Sequence, residues 1–167
     1  MRAGIFRPQY HGREHIAVGP WMRALQRGDA EVREAFDLEM AGTASRRNGR
    51  NGYVVAYEGD PGEEARLAEA AAEGLRMFEQ LFGYRSRTFI APCYTWPANL
   101  EKTLRAEGVE ALQGMIHQCL PGGGHRRHWF GSRNALGQTY LLRNCFFEPT
   151  TDCLLYTSPS PRDYAAS

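Results

Sequence analysis

Two imidazoles four residues apart, in the stretch His11-Gly12-Arg13-Glu14-His15, are the side chains of this sequence best suited to chemistry. If the segment turns as a helix, both rings come to one side. Imidazole nitrogen binds zinc at about 2.0–2.1 Å, and a site with an open position keeps a water there. Metal binding makes that water a usable nucleophile near neutral pH. The spacing alone is a weak signal, because such pairs arise often by chance. It is not the zinc-protease motif: position 12 is Gly, and Glu14 directly precedes the second His. Arg13 and Glu14 could orient a ligand imidazole from behind; a local ion pair between them is the plainer reading.

The elements that must position this pair follow from the apolar pattern. Ile5 to Gln9 reads as a strand feeding the HGREH loop, and catalytic groups of α/β folds gather where strands end. Pro20 suits a helix start, with Trp21, Met22 and Leu25 at helical spacing and Gly28 as the stop. Asp29 is an N-cap for a helix over Ala30–Met40, whose Val32, Phe36 and Met40 share a face. Residues 42–52 form a polar, Gly-rich basic loop, and Tyr53–Tyr57 reads as a buried strand. Asp60 and Pro61 cap a long helix that Gly83 ends. Its buried stripe is Leu67, Ala70, Ala71, Leu75, Phe78 and Phe82. A strand over Thr88–Ala91 ends at Pro92. A helix over Asn99–Glu107 stops at Gly108, and strands follow over Val109–Met115 and Gln138–Phe147. Strands alternating with helices predict an α/β fold with a mostly parallel sheet.

Other candidates lie where these strands end. Tyr94 and Trp96 follow Pro92 and offer flat faces to a sugar ring, although most such aromatics pack inside. Arg143, Asn144 and Glu148 cluster after the last apolar run and could line a cleft. His117, His125 and His128 are scattered through a Gly-rich region and suggest no metal. No phosphate-binding glycine loop is present, and no Ser-His-Asp arrangement is readable.

The 167 residues, 43% hydrophobic and 23% charged, suit one globular domain of ordinary composition. A net charge of +1 supplies no general attraction to nucleic acid or acidic lipid. No apolar run approaches the roughly 20 residues of a membrane span, and the N-terminus lacks a signal-peptide core. Cys93, Cys119 and Cys145 read as buried thiols of a reducing, cytoplasmic compartment.

Four stretches resemble a bacterial branch of the polysaccharide deacetylase family: Phe6–His15 (FRPQYHGREH), Trp21–Asp29 (WMRALQRGD), Leu75–Tyr84 (LRMFEQLFGY) and Arg143–Pro149 (RNCFFEP). The resemblance spans about residues 5 to 150, in order. It implies an incomplete (β/α) barrel and a divalent metal, zinc above all, held by one Asp and two His. His11 and His15 match the two His. The implied reaction is hydrolysis of the N-acetyl group of an amino sugar by water, with a carbohydrate as the partner. The family's paired-Asp motif and its late Leu-x-x-His-type motif are both absent from this sequence. The chain therefore reads as a fragment, residues 1–152, of a longer enzyme. The family's Arg-Pro-Pro-Tyr stretch corresponds to Ile90-Ala91-Pro92-Cys93, which puts Ile90 where an orienting Arg stands and makes Cys93 the backbone oxyanion donor. Gly12 replaces a hydroxyl residue, and Ile16 a Pro. These departures motivate a second reading, a non-catalytic carbohydrate-binding or inactive truncated relative. Residues 153–167 are set apart. Cys153–Asp163 (CLLYTSPSPRD) resembles the in-frame translation of a transposon-end sequencing adapter, so the tail reads as non-native.

Overall fold

The computed structural model describes residues 7–40, 43, 46–47, 50–51, 53–59 and 62–143. Its elements are α1 (Val18–Gln26), α2 (Ala30–Asp37), β1 (Arg46–Arg47), β2 (Arg50–Asn51), α3 (Glu64–Phe82), β3 (Thr88–Ile90), α4 (Leu100–Ala106), β4 (Ala111–Gly114), β5 (His117–Cys119), β6 (His125–Arg127) and β7 (Thr139–Leu142). A single 3-10 turn, Pro92–Tyr94, follows β3.

The main sheet is parallel and runs β3-β4-β7, with Tyr10 bridged in parallel to Phe89 at its outer edge. Spatial order is chain order. Consecutive parallel strands joined by same-handed crossovers put their helices on one face. The register makes that face explicit: Phe89, Leu112 and Tyr140 are aligned partners, and Tyr10 joins them. All four are buried, in one core with Leu67, Ala71, Leu75 and Phe78 of α3 and Leu100 and Leu104 of α4. The opposite face carries Thr88, Ile90, Ala111, Gln113, Thr139 and Leu141, all half-buried. There Gln113 donates to Thr88 Oγ1 at 2.9 Å, and Thr88 donates to Gln9. The fold is thus mixed α/β with small sheets, and the described residues form no closed barrel.

Several local signals act as expected. Asp29 accepts from Val32 N at 3.2 Å, filling one of the orphan donors at the start of α2. Gly83, at φ 73°, ends α3 in the left-handed conformation that glycine adopts freely. Asp60 and Pro61 lie outside the described residues, as do Ile5 and residues 144–167.

Four expectations are corrected. Tyr53–Tyr57 is not a strand: Tyr53 O accepts from Ala17 N, Val55 O from Glu58 N and Val54 O from the Cys93 thiol. Its buried apolar residues therefore pack as a turn, a distinction that periodicity cannot make for so short a run. In α2 the buried residues are Val32 and Ala35, while Phe36 and Met40 are exposed. The helix ends at Asp37, and its contact with α1 uses only one turn, around Trp21 and Ala24. Phe82, the last residue of the α3 stripe, is 36% exposed beyond the edge of the core. Finally, β5 and β6 form an antiparallel hairpin where the sequence reads only as a loop. No described helix is long and apolar enough to cross a membrane.

Candidate active site at the carboxyl edge of the sheet

Because the strands are parallel, the segments that leave them gather at one edge. His11 follows the Tyr10 bridge, the Pro92–Tyr94 turn follows β3, the β5–β6 hairpin follows β4, and Arg143 follows β7. His11 and His15 do not sit on a helix, contrary to the sequence expectation. Residues 11–17 bend without helical pairing, and α1 begins at Val18. The bend still brings the rings together, with centroids 5.4 Å apart and planes at 51°. Both residues are exposed.

His11 Nδ1 lies 3.0 Å from the carbonyl oxygen of Ile90. A carbonyl only accepts, so this bond places a proton on Nδ1, and in the neutral imidazole Nε2 is then the lone-pair nitrogen. Gly12 makes the bend possible. Its φ is 121°, and a Cβ there would sit 3.3 Å from Glu14 O and 3.6 Å from the Pro92 ring. The hydroxyl residue that the resemblance suggests at this position would not fit without strain. Arg13 pairs with Glu14 at 2.6 Å and also with Glu73 of α3. These two residues therefore form an ion pair that ties the bend to α3.

Beneath the bend lie two buried tyrosines. Burial pushes the Tyr10 hydroxyl up to about 12 and raises Tyr57 further. A folded-state pKa above the unfolded value means stability is intact below pH 10 and falls as pH rises through 10 to 12. Thermal melts across that window are expected to show a loss on the order of 2 kcal/mol from Tyr10. Tyr57→Phe should make the decline shallower; an unchanged decline would sink the assignment.

The remaining candidates are placed as follows. Cys93 is exposed rather than buried, at φ 51°, and Tyr94 follows at φ 54°. Two consecutive left-handed residues turn the chain sharply out of β3. Tyr94 is half-buried, with the Arg143 guanidinium 5.9 Å from its ring centroid. Trp96 is 1% exposed and belongs to the core, so it has no face to offer a sugar. The hairpin covers it: Trp96 N donates to Cys119 O, and Gln118 donates to Trp96 O. Cys119 is half-buried. Asn144, Cys145 and Glu148 lie outside the described residues. His117 and His125 meet edge to face on the hairpin at 6.2 Å.

The structure adds residues that sequence reading passed over. Trp129 and Phe130 are 66% and 72% exposed at the rim of a cleft of about 400 Å³. Ile116, Arg127, His128, Leu142 and Arg143 line the rest. His128 is buried and holds Gln118 Oε1 at 2.7 Å, and burial pushes its pKa down. A Trp-Phe pair inside a run of Gly, Arg and His is the signal that could have found this rim. Such a segment has no apolar period to bury it.

Among the described residues, no group of three or more His, Cys, Asp or Glu side chains is arranged to hold a metal ion. The His pair can be compared with the spacing that two ligands of one ion would have. With ligand bonds of about 2.0–2.1 Å and a near-tetrahedral angle, two ligated imidazole centroids stand roughly 5 Å apart, close to the 5.4 Å observed. Compared with protein-family models, curated proteins and solved structures, the chain gives no match.

Proposed function

We propose that this chain is part of a metal-dependent hydrolase of the polysaccharide deacetylase type, acting on the acetamido group of an N-acetylated glycan. The observation that carries the reading is the His11–Ile90 hydrogen bond, which leaves Nε2 as the lone-pair nitrogen of a neutral ring whose centroid is 5.4 Å from that of His15. Ligand imidazoles of zinc sites are commonly held this way, with the distal N–H on a carbonyl or carboxylate. His11 and His15 would be two ligands of a divalent ion, zinc in preference. The remaining protein ligand and the acid–base groups would come from the paired-Asp and Leu-x-x-His-type motifs, which this sequence does not contain. A bound ion would polarise the scissile carbonyl and acidify water. The chain's own residues hold the His11 ring in one tautomer, brace the bend through Arg13 and Glu73, and turn the Cys93 backbone out at the strand end. Ile90 contributes its carbonyl rather than a cationic side chain, so a base-orienting Arg must come from elsewhere.

The test is zinc or cobalt titration followed by calorimetry. One ion per chain is expected at the pair, and His11→Ala or His15→Ala should each weaken binding by about tenfold or more. Unchanged affinity in both variants would remove the metal reading. Metal-independent glycan binding would then favour the non-catalytic alternative that Gly12 and Ile90 motivate.

A further inference from the structure

Between Glu110 and Glu148 the sequence contains no Asp and no Glu, yet it holds Arg126, Arg127, Arg133 and Arg143 and three histidines. The fold concentrates that imbalance. Arg126 turns inward to the buried Glu101 at 3.4 Å, whereas Arg127 lines the aromatic cleft, which no carboxylate lines among the described residues. The Arg127 guanidinium stacks 4.3 Å from the centroid of the Trp129 ring. A cation resting on an aromatic face is held there by the ring quadrupole and keeps its N–H edge for an anion. The exposed Trp129 and Phe130 rings supply apolar surface on which a sugar's C–H face stacks.

We propose that this cleft is a subsite for an acidic sugar, a uronate-type ring whose carboxylate meets Arg127 while its C–H face rests on Trp129 or Phe130. The inference rests on the glycan reading above and narrows its substrate class. Continuity along the carboxyl edge supports it: Arg143 reaches Tyr94, Tyr94 follows Pro92, and Pro92 lies against Gly12 between the two histidines. A glycan seated in the cleft would thus run toward the His pair. The cleft, at about 400 Å³, is of ligand size. A surface for single-stranded nucleic acid would instead be a long groove following a phosphate chain.

Calorimetry and tryptophan fluorescence on the full chain, with chelator present, give the test. The probes are trigalacturonate, tri-N-acetylchitotriose and a single-stranded oligonucleotide of three phosphates. Trigalacturonate is expected to bind about tenfold tighter than the neutral trisaccharide, with the preference fading at high salt. Arg127→Gln should abolish the preference. Trp129→Ala should weaken both sugars about fivefold. These side chains are exposed at the rim, so thermal melting of each variant checks that the fold persists. Equal affinity for the two trisaccharides, or a preference that survives Arg127→Gln, would overturn the proposal. Tighter binding of the oligonucleotide would replace it with a nucleic-acid surface. The metal reading fails or stands separately, because His11→Ala and His15→Ala should leave uronate binding unchanged in chelator.

Discussion

Replacing Glu101 by alanine is expected to destabilise the protein by about 3–5 kcal/mol, the range for removing one partner of a buried charged network. Glu101 is 4% exposed on α4. Its Oε1 accepts from Trp96 Nε1 at 3.3 Å, from the Tyr140 hydroxyl at 3.0 Å and from Arg126 at 3.4 Å; Oε2 accepts from Asn134 at 2.8 Å. One carboxylate thereby joins α4 to the turn before it, to β6, to β7 and to the loop entering β7. Alanine would leave the Tyr140 hydroxyl and the Trp96 N–H without their acceptor in the interior, where an unmet donor costs about 1–3 kcal/mol. Urea unfolding and thermal melting measure the loss. Glu101→Gln keeps one carbonyl acceptor and should fall between the two. A Glu101→Ala protein within 1 kcal/mol of the parent, roughly the surface-substitution scatter, would mean that the network does not organise this end of the sheet. The same variant should loosen the β5–β6 hairpin and with it the cleft wall.

Gly74→Ala carries the second large expectation, and its sign is the informative part. Propensity alone predicts a gain of about 0.8–1.0 kcal/mol for alanine in a helix interior. Gly74, though, is where α3 passes over the strand end beneath the bend. A Cβ there would meet the Tyr10 hydroxyl in severe overlap and approach Arg13 Cβ to 2.9 Å. Tyr10 cannot retreat: its ring packs against Phe78 and Phe89, and its hydroxyl donates to Ala71 O at 3.2 Å. Moving α3 outward would open the core formed by Leu67, Ala71, Leu75 and Phe78. Overpacking of this kind costs about 1–3 kcal/mol, enough to outweigh the propensity gain. The variant should therefore melt lower and shift the His11–His15 bend that Tyr10 and Arg13 support. A higher melting temperature would show that the helix does not pass so close.

The helices were readable from the residues alone because their signals are local. Asp29 caps α2 through a side chain three residues from its donor, Gly83 ends α3 by its own backbone freedom, and the Leu67–Phe78 stripe has a helical period. The parallel strands were readable for a similar reason: short apolar runs alternated with those helices, and the sheet follows chain order. The His pair was visible through its spacing. Strand pairing was less legible, since a ladder depends on what lies alongside. Tyr53–Tyr57 has the apolar residues of a strand but pairs with no strand among the described residues, while His117–Cys119 has none of that character and pairs with His125–Arg127.

For the site, the sequence by itself determined which residue types stand at the strand ends. Only the tertiary structure decided their roles. His11 receives its tautomer from Ile90, 79 residues away. Trp96 is taken into the core because a hairpin folds over it, and Trp129 and Phe130 are left at the rim. Glu101 looks from its sequence like an ordinary acidic residue in the first turn of a helix, yet its partners arrive from as far as Tyr140. Hydrogen-bond satisfaction and burial are long-range conditions, set by which elements meet, and no local pattern encodes them.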